Sequence, residues 1–419
     1  MRNKKMVVSI ISLVLLCALT VNFSGCVSAG AVDLMKGIAP GEIIDLAPDT
    51  EICNDAASDF AVRLFKRCYA GDNTLISPLS VFTALSMTTN GANGETLSQM
   101  EQVLGLSQDE LNLYLYHYIK ALPQGEKYKL SIANSIWFTD DERFTVNENF
   151  LQTNATYYGA DMYKAPFNRS TLGDINSWVK QKTDGMIPKI LNEIPSDAIM
   201  YIINALAFEA EWSEIYEHDQ VKSGTFTKED GTEQNAKFMY SIESTYLEDE
   251  NAIGFVKYYR GRKYAFVAML PNEDISVSDY ISSLDGKKIR AMLEEPTNYS
   301  TVYAAIPKFE TEYDVEMSTI LSSMGMTDAF DAANADFSDL GSSTGGNIFI
   351  SRVLHETYIS VAEKGTKAGA VTVIETTDGA SPTFEEPKYI YLDRPFVYML
   401  IDCENNLPFF IGVMTDINK

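Results

Sequence analysis

Residues 363–382, Glu-Lys-Gly-Thr-Lys-Ala-Gly-Ala-Val-Thr-Val-Ile-Glu-Thr-Thr-Asp-Gly-Ala-Ser-Pro, are composed as a strand between two loop-like ends. From Thr366 the alternate residues Thr366, Ala368, Ala370, Thr372, Ile374 and Thr376 are uncharged and mostly small or β-branched. Both charges within that run, Lys367 and Glu375, fall on the intervening set with Gly369, Val371 and Val373. Side chains along a strand alternate between its two faces, so this pattern can bury one face and leave the other in water. The stretch nevertheless opens on Glu-Lys-Gly and closes on Asp-Gly-Ala-Ser-Pro, residues typical of an exposed loop. Strand chemistry in a loop predicts a segment that can change state.

On its N-terminal side, Asn347–Val361 reads as a long strand running straight into this stretch. On its C-terminal side, Tyr389–Asp402 and Leu407–Met414 read as a closing strand pair around Glu404-Asn405-Asn406. Further strands are predicted over Leu130–Phe138, Met200–Phe208, Ala265–Leu270 and Val302–Ile306, and Met200–Phe208 is apolar enough for a buried central strand. Ala57, Phe60, Ala61, Leu64, Phe65 and Cys68 recur at helical spacing, and Val81–Thr89 and Ile175–Lys182 read as two more helices. Helices gather in the first half and strands in the second, which makes the fold class a single α+β domain.

The chain of 419 residues carries a formal charge of −25. That balance argues against nucleic acid or an anionic membrane as partner, because phosphate contacts need clustered Lys and Arg. Arg2, Lys4 and Lys5 precede the apolar run Met6–Val21, the pattern of a signal peptide over residues 1–25. Phe23-Ser24-Gly25-Cys26 resembles the bacterial lipobox, which implies a lipid on Cys26 and a place on the cell surface as the membrane connection. The alternative is free secretion with cleavage after Val27-Ser28-Ala29, and both outcomes are extracellular. Residues 26–50, with scattered Gly and Pro and little periodicity, read as a tether ahead of a domain over residues 51–419.

Beyond the signal segment and Cys26 remain Cys53, Cys68 and Cys403, an odd count that argues against a disulfide framework. Cys53 and Cys68 lie along one predicted helix, whose rise of about 1.5 Å per residue carries them far beyond disulfide reach. Buried thiols are expected. No pattern resembles a metal cage, so no cofactor is expected either. Gly341-Ser342-Ser343-Thr344-Gly345 fits the hydrolase G-x-S-x-G pattern, but the strand before it and the helix after it are missing, so it reads as a flexible loop.

Several ordered motifs between residue 52 and the C-terminus resemble those of the serpin family. They include Ser77-Pro78-Leu79-Ser80 with Asn90-Gly91-Ala92-Asn93-Gly94-Glu95-Thr96, Ile175-Asn176-Ser177-Trp178-Val179, and Asn204-Ala205 with Phe208 and Trp212. Pro307-Lys308-Phe309, Ala335-Asp336-Phe337-Ser338, Glu363-Lys364-Gly365-Thr366 and Asp393-Arg394-Pro395-Phe396 follow in the family's order. The resemblance implies three β-sheets with eight or nine helices, an exposed reactive loop, and a monomer. It implies no enzyme but a suicide substrate for a serine protease, which becomes covalently trapped when the cleaved loop inserts into the main sheet. On this resemblance Glu363, Gly365, Thr366, Ala368, Gly369, Ala370 and Thr372 form the hinge, with Thr366 the first side chain buried on insertion and the even-numbered face buried only after cleavage. Ser77, Ser80, Asn204 and His355 form the polar shutter beneath the parting sheet. Trp212 and Lys308, the latter paired with Glu363, mark the breach where the loop enters.

Counting from Glu363 to the family's usual distance puts Gly379 before the attacked bond and Ala380 after it. Small residues there suit the shallow pockets of elastase-like or subtilisin-like proteases. Asp378–Gly379 is the alternative bond and would suit an Asp-directed protease. A non-inhibitory member used for binding or chaperoning is the rival reading, and the small Ala368-Gly369-Ala370 hinge argues against it.

Overall fold

Asp49 begins the first long helix because its carboxylate accepts the backbone N–H of Ile52, 3.3 Å away, an N-cap bond that satisfies one otherwise orphaned donor. Glu51 in the first turn and Lys66 and Arg67 in the last turn complement the helix dipole. The next helix starts with Pro78 at its first position, where a missing N–H costs nothing. In the computed structural model, residues 30–43, 48–194, 198–366 and 386–419 are described, without the side chains of residues 298–300. The expectations for Cys26, Ala368, Gly369, Ala370, Thr372, Asp378, Gly379 and Ala380 fall outside the described residues.

In chain order the strands are β1 (Val32–Asp33), β2 (Thr74–Ile76), β3 (Tyr128–Thr139), β4 (Phe144–Val146), β5 (Asp161–Ala165), β6 (Met200–Glu211), β7 (Val221–Thr227), β8 (Glu233–Glu248) and β9 (Ala252–Tyr258). They continue with β10 (Tyr264–Pro271), β11 (Thr297–Pro307), β12 (Phe309–Glu316), β13 (Gly341–Ser343), β14 (Arg352–Ala362), β15 (Gly365–Thr366), β16 (Lys388–Tyr391), β17 (Phe396–Asp402) and β18 (Leu407–Met414). The helices are α1 (Thr50–Cys68), α2 (Pro78–Thr89), α3 (Gly94–Leu104), α4 (Gln108–Ala121), α5 (Glu148–Tyr157), α6 (Arg169–Lys182), α7 (Val277–Ser283), α8 (Gly286–Glu294) and α9 (Ser318–Met324). Among the described residues these nine helices surround three sheets, an α+β arrangement with the numbers that the family resemblance implies.

The main sheet has the order β1-β5-β3-β6-β15-β14-β12, and a larger one runs β16-β11-β8-β9-β10-β17-β18-β2 with β7 on β8. Strand β6 is buried on both faces, which explains its unbroken apolar run. Its Met200, Ile202, Leu206, Phe208 and Ala210 join the main core, whereas Tyr201, Ile203 and Ala205 join a second cluster under Ile175, Trp178 and Val179 of α6.

Three expectations are revised. The predicted strand Asn347–Val361 begins only at Arg352, because the Ile350 N–H donates to the Ala329 carbonyl at 2.9 Å and the Asn347 side-chain amide ties the preceding turn to the Ala335 carbonyl. Tyr389–Asp402 is two strands, β16 and β17, interrupted around Pro395, which has no N–H for a ladder. Gly341–Ser343 is a strand paired with β4 rather than a flexible loop, and a Cβ on Gly341 would come 2.2 Å from the Thr145 carbonyl oxygen. Residues 30–43 lie along the body: β1 pairs antiparallel with β5, Leu34 N–H donates to Met162 O at 2.9 Å, and Gly41 N–H donates to Thr156 Oγ1 at 2.7 Å. Cys53 and Cys68 are buried free thiols on α1, and burial pushes them up to about 11 and about 12.

Phe208 ties the two large sheets together, with its ring 5.2 Å from Tyr259, 5.4 Å from Tyr264 and 4.9 Å from Phe409. Phe208→Ala removes this contact and leaves a cavity. It is expected to destabilise the protein by about 3–5 kcal/mol, measured as a lower midpoint in urea with an unchanged slope.

Candidate functional site

Strands β6 and β14 run parallel, but they are joined at one end only. Tyr201–Asn204 pair with Arg352–His355. Beyond this point the strands part: residues 205–209 pair with β3, residues 356–360 pair with β12, and among the described residues nothing bridges the gap. Its far, open end is entered by β15, whose Gly365 and Thr366 lie antiparallel between Glu211 and Ala210 on one side and Ala362 and Val361 on the other. The result is a slot in the middle of the main sheet.

The closed end of the slot is polar. Ser77 N–H donates to His355 Nε2 at 2.9 Å, and Asn204 Nδ2 donates to the Ser80 carbonyl at 2.5 Å. Ser80 Oγ also donates to Asn204 Oδ1, and Asn204 Nδ2 reaches Asn134 Oδ1. The structure therefore brings Ser77, Ser80, Asn204 and His355 together. Because Nε2 accepts, the imidazole is neutral with its proton on Nδ1, and burial lowers its pKa to about 3. Among the described residues Nδ1 of His355 and Oγ of Ser77 find no partner. A buried polar group left unpaired costs about 1–3 kcal/mol, so bonding capacity is held unused here.

At the open end, Trp212 N–H donates to Lys364 O and Trp212 Nε1 to Ala362 O, each at 2.9 Å. Tyr216 N–H donates to Glu363 O at 2.9 Å, and Lys308 Nζ lies 2.7 Å from the Glu363 carboxylate. Gly365 has φ +147°, and a Cβ there would meet the Ala210 carbonyl oxygen at 2.0 Å, so the turn into the sheet requires glycine. Thr366 is 2% exposed, and its hydroxyl lies 2.6 Å from the Tyr259 hydroxyl. This corrects the expectation that Thr366 is buried only on insertion. Its side chain is already inside, because the turn at Glu363-Lys364 returns the chain between β6 and β14.

The sequence reading passed over the groups behind this clasp. Tyr259 stacks on Trp212 with centroids 4.3 Å apart and planes within 8°. Beneath them Lys257, 2% exposed, places Nζ 2.8 Å from the Glu243 carboxylate, 4.5 Å from the Tyr216 ring centroid and 5.5 Å from that of Trp212. The rings that hold the Ala362–Lys364 backbone thus rest on a buried cation. Phe255-x-Lys257-x-Tyr259 carries the signal, a lysine on the aromatic face of a strand. Glu211, next to Trp212, is bridged by Lys127 at 2.9 Å and Arg260 at 3.2 Å.

On the opposite face, Glu356 follows His355 at the point where the strands part. It lines a cleft of about 250 Å³ with Glu193, Asp314, Glu316 and Arg352. Burial, with Glu312 and Asp314 adding repulsion, raises its carboxyl to about 7.

A family model described as "Serpin (serine protease inhibitor)" matches residues 55–417. An uncharacterized serpin-like protein of Thermococcus kodakarensis is 29% identical over 369 residues, spanning 86% of this chain and 84% of its own length. The crystal structure of tengpin, a thermophilic serpin, in its native state is 48% identical with a TM-score of 0.87, covering 92% of this chain and 100% of tengpin. Tengpin in its latent state is 47% identical with a TM-score of 0.77, covering 90% and 100%.

His355 and Glu356 give stability opposite dependences on pH. Between about 6.5 and about 3 the unfolded chain binds a proton that folded His355 refuses, so this group lowers stability as pH falls. Between 4.5 and about 7 folded Glu356 keeps a proton that the unfolded chain releases, so this group lowers stability as pH rises. Glu356→Gln is expected to raise the thermal midpoint at pH 8 by roughly 2–4 °C and to leave it unchanged at pH 4, read by differential scanning fluorimetry.

Proposed function

This chain belongs to the serpin family, and from that premise we propose that it is a single-use inhibitor of serine endopeptidases with shallow, elastase-like or subtilisin-like specificity pockets. The observation that carries this reading is the slot between β6 and β14, open above Asn204 and His355 and entered by Gly365 and Thr366. Higher similarity to the native than to the latent form of tengpin, 0.87 against 0.77 in TM-score, supports reading this as the uninserted state.

On this reading, extending the register of β15 sets the course that insertion would take. Thr366 lies opposite Ala210 and Val361. Continued antiparallel, each later residue meets an earlier one on both neighbours, so residues 367–371 fill the slot opposite 209–205 and 360–356. Thr372 then arrives opposite Asn204 and His355, the first pair that must separate. Ala368, Ala370 and Thr372 share the inward face of Thr366, opposite Phe208 and Ile359, then Leu206 and Thr357, then the shutter pair. Small side chains at these places meet little resistance. Lys367 and Val371 face outward.

In the proposed reaction the protease serine Oγ attacks the Gly379 carbonyl carbon. An ester forms, the Gly379–Ala380 C–N bond breaks, and the Ala380 amine leaves with a proton from the protease histidine. Water would ordinarily hydrolyse that ester. Insertion of the freed loop carries the tethered protease across the sheet and pulls its oxyanion site out of shape before water completes the cycle. Hydrogen bonds and burial withheld in the slot supply the driving force.

The protein is expected to form a complex with pancreatic elastase or subtilisin that survives boiling in detergent, and none with trypsin. Thr372→Arg is expected to turn it into a substrate, cut at the same bond without a complex, because an unpaired buried charge costs on the order of several kcal/mol. Cleavage of the parent protein without any complex by all three proteases would instead favour the non-inhibitory reading.

For localisation we propose export with removal of residues 1–25 and lipidation of Cys26, which places the inhibitor on the outer surface of the cell. Radiolabelled palmitate is expected to enter the parent protein and not a Cys26→Ser variant. An unlabelled parent protein beginning at Gly30 would mean free secretion.

A further inference from the structure

The outer face of the larger sheet near β16 carries four tyrosine rings, two exposed (Tyr389 and Tyr391) and two half-buried (Tyr240 and Tyr303). Cross-strand register places Ile242 of β8, Tyr303 of β11 and Tyr389 of β16 in one row, and Tyr240, Ala305 and Tyr391 in the next. Tyr303 and Tyr389 stack at 5.1 Å and 13°, and Tyr240 and Tyr391 meet edge-on at 5.8 Å across the small Ala305. The opposite face of the same strands carries Val302, Ala304, Ile306 and Ile390 into the core, so the outer rings are held on a fixed platform. Ile242 is 58% exposed, Tyr389 59% and Tyr391 37%. Only five large apolar side chains are so exposed among the described residues, and three of them lie on this one face. Lys222, its Nζ 5.4 Å from the Tyr240 ring, adds a positive rim within an acidic chain.

We infer that this face is a docking site for the target protease, taking an apolar, carboxylate-rimmed surface on the side of the protease cleft that holds residues after the scissile bond. The inference rests on the inhibitory reading above. Chain length favours this occupant. From Ala380 to Lys388 an extended chain reaches at most about 29 Å. A protease of roughly 220 residues has a radius of gyration of about 17 Å and is about 44 Å across. A protease closed on the bond therefore overhangs the strand into which the cut chain leads. Tyrosines anchored in a sheet lose little conformational freedom on binding, which makes them effective contact residues. The rows belong to three strands, so the site exists before the loop is engaged.

The test measures the second-order rate constant for detergent-stable complex formation with elastase or subtilisin, whichever the parent protein traps. Two variants are compared with the parent, Ile242→Ser and the double variant Tyr389→Ser with Tyr391→Ser. Ile242 lies on β8, away from the loop's own chain, so its substitution leaves loop attachment intact. Each variant is expected to associate about tenfold more slowly, with the stoichiometry of inhibition and the thermal midpoint unchanged. Rates equal to the parent's in both variants overturn the docking site while leaving the inhibitory reading in place. A parent protein that traps no protease overturns both. Self-association of the parent that Ile242→Ser abolishes, with inhibition unaltered, would assign the face to a second copy and overturn the proposal.

Discussion

Everything distinctive in this molecule follows from two neighbouring strands that do not finish pairing. β6 and β14 are parallel and bonded from Tyr201–Arg352 to Asn204–His355, then diverge until β15 bridges them at Ala210 and Val361. Parallel strands buried on both faces ordinarily pair along their length, because each backbone N–H and C=O removed from water needs a partner. Here, between those two points, β6 and β14 do not pair with each other among the described residues. Ser77, Ser80, Asn204 and His355 lie at one end of that slot, and Gly365, Thr366 and Trp212 at the other.

The mouth is held from behind by the other sheet. Trp212, Tyr216 and Tyr259 fix the backbone of Ala362, Glu363 and Lys364 and the hydroxyl of Thr366. Phe208 continues the aromatic contact from Tyr259 to Tyr264 and Phe409 in the core. Under the stack Lys257 is buried against the partly buried Glu243 carboxylate, and breaking such a pair costs more than the intact pair contributes, since it strands the buried charge. The Ala362–Thr366 segment is therefore coupled to the second sheet through rigid rings over a fixed charge.

At the other end the polar groups are nearly, but not fully, satisfied. Asn204 finds Ser80 and Asn134, and His355 accepts from Ser77, yet Nδ1 of His355 and Oγ of Ser77 go without a partner among the described residues. Burial keeps the imidazole neutral at every physiological pH, so its role is to hold a hydrogen bond rather than to carry charge. Glu356, one residue on and on the opposite face, is the group that titrates near neutrality. Alternation along a single strand thus separates a pH-silent contact from a pH-responsive one.

Much was legible in the sequence, because local chemistry has few structural solutions. The apolar run Met200–Phe208 reads as a strand covered on both faces and the spacing from Ala57 to Cys68 as a helix, and both elements are present, whereas the alternation beyond Thr366 lies outside the described residues. Ser77, Ser80, Asn204 and His355 were named from ordered motifs, and tertiary folding brings them within hydrogen-bond reach. Other features depended on contacts between residues far apart in sequence. That Thr366 is already buried follows from the 2.0 Å between a would-be Gly365 Cβ and the Ala210 oxygen, and from Tyr259, a residue distant in the chain. That the buried Lys257 lies beneath the rings holding Ala362–Lys364 follows from the pairing of β8 with β9, and the outer aromatic rows follow from the register of β8, β11 and β16. Periodicity along one chain decides which face of an element is apolar. Only the register between elements decides which side chains those faces meet, because pairing distances are set by the whole sheet and not by any one strand.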